Sequence, residues 1–156
     1  MAKKWKGLII MARPIKEGID YFILDVDMDI ADDRIFMLET DHGVEGFGIL
    51  IKLLMTIYQQ KGYYILWDEM QLKRFSRKKN IDINICRNVV DATIKLGFFS
   101  KKLYKKYGII TSRGIQKRYI EAAKKRKKIP FIKEFLLLDP ASEISDGINL
   151  IYVAQV

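Results

Sequence analysis

Histidine and cysteine are almost missing from this chain: His42 and Cys86 are the only examples in 156 residues. That inventory excludes metal centres and catalytic triads assembled from several His or Cys side chains. It also excludes a disulfide framework within the chain, which fits a reducing, cytoplasmic setting. Cys86 falls on the apolar side of a predicted helix with no histidine near it in sequence, so a buried structural thiol is expected. Long hydrophobic runs are lacking too. The most apolar stretch, residues 44–58, is interrupted by Lys52 and is too short to span a bilayer, so no membrane partner is expected. The apolar run at residues 8–12 stops at Arg13-Pro14, short of a signal-peptide core. No glycine loop suited to cradling phosphates occurs, so nucleotide hydrolysis has no support and no cofactor is implied.

What the chain does have is positive charge, and it is segregated. Residues 1–60 carry 7 Lys and Arg against 10 Asp and Glu, residues 61–128 carry 20 against 5, and residues 129–156 carry 1 against 4. The net charge of +9 therefore comes wholly from a middle block of +15. Such a block suggests a surface for an anionic polymer rather than a merely soluble face.

Periodicity and turn residues place the elements. Tyr21, Phe22, Ile23 and Leu24 read as a β-prone run, and Asp32 caps a short helix ending at Gly43. Residues 44–60 form the longest predicted helix, apolar on several sides and therefore central, with Gly46 and Gly48 expected at close packing contacts. Residues 63–67 read as a strand. Asp68 with Gln71 is a capping-box pattern opening a helix to Lys79. Asn80-Ile81-Asp82 is a tight turn, and Asp82 caps a helix over residues 83–96, with Ile85, Val89, Ala92 and Leu96 as its apolar stripe, widened by Cys86, Val90 and Thr93. Phe98, Phe99 and Ser100 are predicted as a strand, residues 101–107 as a basic, aromatic loop, and residues 108–111 as a second strand. Ser112 caps a last helix to about Lys128, where Pro130 ends it.

The fold class expected is α+β, mainly helical: a winged helix-turn-helix with an N-terminal strand and helix and an additional C-terminal helix. Residues 1–17 are read as an extension and 18–128 as the domain, with helix-turn-helix and wing over 68–111. Residues 129–156 are read as a tail.

In such a module the second helix enters the major groove and the first braces it across the backbone. Asn84 and Asn88 offer amides, and Arg87 and Lys95 offer cations, for reading base edges. Lys73, Arg74, Arg77, Lys78 and Lys79 are candidates for phosphate contact. So are Lys101, Lys102, Lys105 and Lys106 in the wing, and Arg113, Lys117, Lys124 and Lys125 beyond it. Asp25, Asp27 and Asp29 resemble the start of a calcium loop. Its sixth and twelfth positions are Ile30 and Phe36, where Gly and Glu are required, so that reading fails. A non-catalytic protein is expected.

Several separated motifs then resemble one family. Residues 11–14, 18–22 and 24–27, together with Gly46-Phe47-Gly48, Gly62-Tyr63-Tyr64 and Trp67, match the opening of phage replisome-organiser N-terminal domains of the Lin type. The run from Gly108 to Tyr119, followed by Ala122 and Arg126-Lys127, is the most specific piece. These domains are similar to the winged-helix N-terminal part of DnaD-like primosome proteins. The resemblance implies DNA binding, duplex or single-stranded, at a replication origin. It implies self-association too, for which Tyr21, Phe22, Ile23 and Leu24 are the interface candidates, and partners such as a helicase or its loader. A phage or mobile-element transcription regulator and a protein-interaction module are the alternatives.

Overall fold

The computed structural model describes residues 16–155. The expected N-terminal extension and the motif at residues 11–14 lie outside it, Lys16 and Glu17 apart. The described chain is α+β and mainly helical, with two small two-stranded sheets.

A short helix α1, Met28–Ala31, leads into the long α2, Asp33–Gln59. Asp32 caps α2 by accepting from the Arg34 N–H, and Gly43 kinks it with φ 68° and ψ −171°. The break expected at Gly43 is thus a kink between two helical halves. The second half is the central helix that its all-round apolarity predicts: Ile49, Leu50, Leu53, Leu54, Ile57 and Tyr58 are all buried. Of its two glycines only one serves close packing. A Cβ on Gly46 would lie 2.8 Å from the His42 Cβ, whereas Gly48 faces open space.

The strand expected over Tyr21, Phe22, Ile23 and Leu24 does not form. Ile19 donates its N–H to the Tyr58 carbonyl at 2.8 Å, and Phe22 stacks on Tyr58 with ring centroids 4.5 Å apart. A segment laid against the end of a helix has no neighbouring strand with which to build a ladder.

After α2 the chain turns at Gly62 into β1, Ile65–Leu66, then α3, Glu69–Lys79, and α4, Ile83–Lys95. The buried face of α4 lies on the widened side of the expected stripe. Cys86, Val89, Val90, Thr93 and Ile94 are buried, while Ile85 is 40 % exposed and Ala92 and Leu96 are only half-buried. Packing against both α2 and α3 selects this side, adds Ile94 to it and leaves Ile85 outside.

Neither the strand at Phe98, Phe99 and Ser100 nor the basic loop after it is present as expected. Residues Lys101–Tyr107 form helix α5, capped by Ser100, which accepts from the Leu103 N–H, and closed by Gly108 in the left-handed region. Leu103 is buried against the core and holds the turn in place. One backbone bond, Ser100 N–H to Thr111 O at 2.8 Å, marks where a hairpin closes beneath α5. Strand β2, Ile109–Ile110, pairs antiparallel with β1, Ile65 opposite Ile110.

Helix α6 spans Arg113–Ala123, shorter than the helix to Lys128 expected from sequence. Residues 124–128 turn the chain into β3, Ile129–Ile132, which is followed by a 3-10 turn at Lys133–Phe135, the short helix α7, Pro140–Glu143, and β4, Leu150–Val153. β3 and β4 pair in parallel, Ile129 opposite Leu150. Ile129, Phe131, Ile132, Phe135 and Leu138 belong to the same hydrophobic core as α2. The boundary expected at residue 128 therefore does not mark the end of the packed body. The reason is aromatic. Phe131 stacks on Tyr63 with centroids 3.8 Å apart, and burying such a side chain is worth roughly 1.5–3 kcal/mol.

Polar atoms lock this junction. Gln116 is fully buried: its Nε2 donates to Phe135 O at 2.8 Å and to Thr111 Oγ1 at 3.2 Å, and its Oε1 accepts from Leu137 N at 2.8 Å. Thr111 Oγ1 donates to Tyr63 O, and the Tyr63 hydroxyl accepts from Ile132 N at 3.0 Å. Gln116→Leu keeps the volume but orphans Phe135 O and Leu137 N–H. We expect a loss of about 2–4 kcal/mol in urea denaturation, since buried orphaned groups carry their full desolvation penalty. A pair of glycine variants separates space from strain. Gly48→Ala should gain about 0.5–1 kcal/mol from helix propensity. Gly62→Ala should lose about 2–3 kcal/mol in the same assay, because Gly62 has φ 93° and a Cβ there would meet Tyr119 Cε1 at 2.2 Å.

Candidate nucleic-acid interface

Two helices and a three-residue turn form the frame of the site. Asp68 accepts from the Gln71 N–H at 2.8 Å and starts α3 as the capping-box spacing predicts. Asn80 ends it in the left-handed region with φ 55°, and Ile81 returns its N–H to Ser76 O at 2.9 Å. Asp82 then accepts from the N–H groups of Asn84 and Ile85 at 2.9 and 3.1 Å, so α4 begins at once. Leu72 and Phe75 of α3 are buried, with Phe75 edge-on to Trp67 at 5.7 Å between centroids.

The far end of α4 is also tied down. Arg34 donates to the Gly97 carbonyl at 2.9 Å, lies 4.6 Å over the Phe98 ring, and forms a bidentate pair with Asp32. The guanidinium beside Asp32 holds that carboxyl below the usual range. Burial, with the nearby Asp91 carboxylate second, pushes the Tyr104 hydroxyl up.

The expected phosphate contacts fall into two groups. Lys73, Arg74, Arg77 and Lys78 on α3 and Lys101, Lys102, Lys105 and Lys106 on α5 are exposed, and Lys79 is half-buried. Among the described residues none of them makes an ion pair with a carboxylate. On the α3 side, Lys73, Arg74 and Arg77 border a groove of about 670 Å³ floored by Met70, Ile81 and Ile83. The second group is engaged. Arg113 donates to Leu137 O at 2.8 Å and pairs with Glu143, which Lys117 also approaches at 3.6 Å. Lys124 pairs with Glu121. Lys125 is exposed beyond the end of α6.

The expected base-reading face is exposed at Asn84, Asn88 and Lys95, but its arginine is occupied. Arg87 donates both terminal nitrogens to Glu69, at 2.7 and 2.8 Å. Those hydrogen bonds hold the Glu69 carboxyl below its usual range.

Of the self-association candidates, Tyr21 and Ile23 are 79 % and 77 % exposed and Leu24 is at the edge of exposure, whereas Phe22 is used against Tyr58.

A family model described as Lin1244/Lin1753-like, N-terminal, matches residues 21–115, from before α1 to the start of α6. The chain belongs to this family. An uncharacterised phage-related protein, Lin1244/Lin1753, of Listeria innocua is 48 % identical over 129 residues, covering 83 % of this chain and 42 % of the relative. The chain thus spans less than half of that relative's length. No solved structure matches. Membership places the chain among phage-related proteins, and the matched span contains α3, α4 and α5 entire. No helix among the described residues is long and apolar enough to cross a membrane.

Sequence reasoning missed two residues that shape the site. Glu69 stands 18 positions from Arg87, a separation with no local signature. Arg126, within the basic run, is a structural staple: its guanidinium donates to Lys16 O at 2.9 Å and Gly18 O at 2.6 Å. The inner face of α4 offers a direct check on its seating. Burial pushes the Cys86 thiol up to about 11, and the side chain is fully enclosed. At pH 8 the native thiol should therefore resist a disulfide reagent such as DTNB and react at the rate of unfolding. Rapid labelling of native protein would show that α4 lifts from α2.

Proposed function

We propose that this chain is the DNA-binding part of a phage-related protein that acts in replication initiation or replisome organisation, by binding rather than catalysis. One observation carries the reading: the cations of α3, which packs on α4, and those of α5 are turned to solvent and have no carboxylate partner among the described residues. Asp68 and Asp82 cap α3 and α4 and make no ion pair with those cations.

The order β1, α3, turn, α4, α5, β2 is read as a helix-turn-helix with a modified wing. The Ser100–Thr111 bond closes the hairpin and α5 replaces its loop, presenting lysines from a helix instead of a flexible tip. Phosphates lie along α3 and α5, and Asn84 and Asn88 face the bases. The replication role, self-association through the exposed Tyr21 and Ile23, and recruitment of a helicase or its loader rest on the family resemblance.

Salt dependence tests the reading. Binding to a labelled duplex, followed by anisotropy, should weaken linearly on a log–log plot as salt rises. Replacing Lys73, Arg74 and Arg77 together by Ala should weaken all sequences alike and flatten the slope by about 0.9 for each phosphate no longer neutralised. Absence of binding to duplex and single-stranded DNA at low salt would sink the proposal.

A further inference from the structure

The five acidic residues of the basic block are distributed unevenly in purpose. Asp68 and Asp82 cap helices, and Glu121 pairs with Lys124 at the end of α6. Glu69 and Asp91 are left, and both face Arg87. Glu69 makes no capping hydrogen bond; the side-chain cap of α3 is Asp68, on the Gln71 N–H. Neither Glu69 nor Arg87 is buried: their side chains are 57 % and 39 % exposed, so the pair contributes little to holding α3 on α4. That packing rests on buried Leu72, Phe75, Val89 and Val90 instead.

The geometry of the pair is that of anion recognition. Two nitrogens of one guanidinium meet two oxygens of one carboxylate in a fork-to-fork arrangement, the same arrangement in which Arg grips a phosphodiester. Arg87 is also the only arginine on the outward face of α4, between Asn84 and Asn88. Resting on the DNA-binding reading above, we infer that Glu69 occupies the seat a phosphate or guanine edge takes on Arg87, and thereby sets how strongly the α4 face holds DNA. Nucleic acid must displace the carboxylate to engage Arg87. The exchange swaps one anion for another, so Arg87 adds almost nothing to the net release of counterions in the wild type. Binding by α3 and α5 meets no such competition, and the α4 face engages only a site good enough to displace Glu69.

The test is a double-mutant cycle on the full chain: wild type, Glu69→Gln, Arg87→Gln and the double variant, with Glu134→Gln as a control for net charge. Anisotropy of one labelled duplex is followed across a salt series. Glu69→Gln should bind about two- to fivefold tighter, the scale of an exposed ion pair, with a log–log salt slope steeper by about 0.9. In the Arg87→Gln background the same change should match the control. Equal gains in both backgrounds, or no gain in either, overturn the inference while leaving DNA binding intact. Lack of binding by wild type and every variant overturns both. Unchanged melting temperatures across the set confirm that the readout is not folding.

Discussion

A fully buried amide with three partners, as Gln116 has, must be satisfied or it destabilises its surroundings, and here the partners come from two separate stretches of chain. Through Thr111 it reaches the carbonyl of Tyr63, and through Phe135 and Leu137 it holds the segment after β3. The Tyr63 hydroxyl closes the circuit on Ile132. The stacked rings of Tyr63 and Phe131 then exclude water from the junction. With the ends of β1 and β2 pinned this way, the helices between them have a fixed base from which to project.

That base explains how a strongly basic surface can be carried on an ordered frame. α4 lies on α2 through a wide apolar face, α3 lies on α4, and Arg34 secures the turn that follows. Like charges on α3 and α5 repel one another, and the apolar core beneath offsets that repulsion, with Leu72, Phe75 and Leu103 buried in it. Several carboxylates are engaged elsewhere: at helix starts, on Arg113, on Arg34 and on Arg87. A surface positive by arrangement, and not only by composition, is the result.

Much of this was legible from local chemistry. Asp68, Asp82, Ser112 and Asp32 cap the helices they were expected to cap, because a side-chain oxygen two or three residues before a free N–H needs nothing from the rest of the fold. Asn80 and Gly43 break helices where expected for the same reason, each acting through its own backbone conformation. The errors share a cause as well. Residues 101–107 read as a loop because four lysines and two tyrosines hide one apolar anchor, Leu103, whose burial decides for a helix. Tyr21 to Leu24 has strand propensity and no strand beside it. Residues 129–156 read only as a tail because β3 and β4 are apolar runs that become strands by pairing with each other across 17 intervening residues.

Residue order alone was enough for the capped pair α3 and α4 with its tight turn, for the central helix, and for the segregation of charge into residues 61–128. These depend on neighbours within a turn or on simple counting. Which cations stand free and which are taken emerges only once the chain is folded. Arg87 finds Glu69 across 18 residues, Arg113 finds Glu143 across 30, and Arg126 reaches back 110 residues to Lys16. An ion pair is a matter of a few ångströms, and spacing along a chain that folds back on itself does not report that distance.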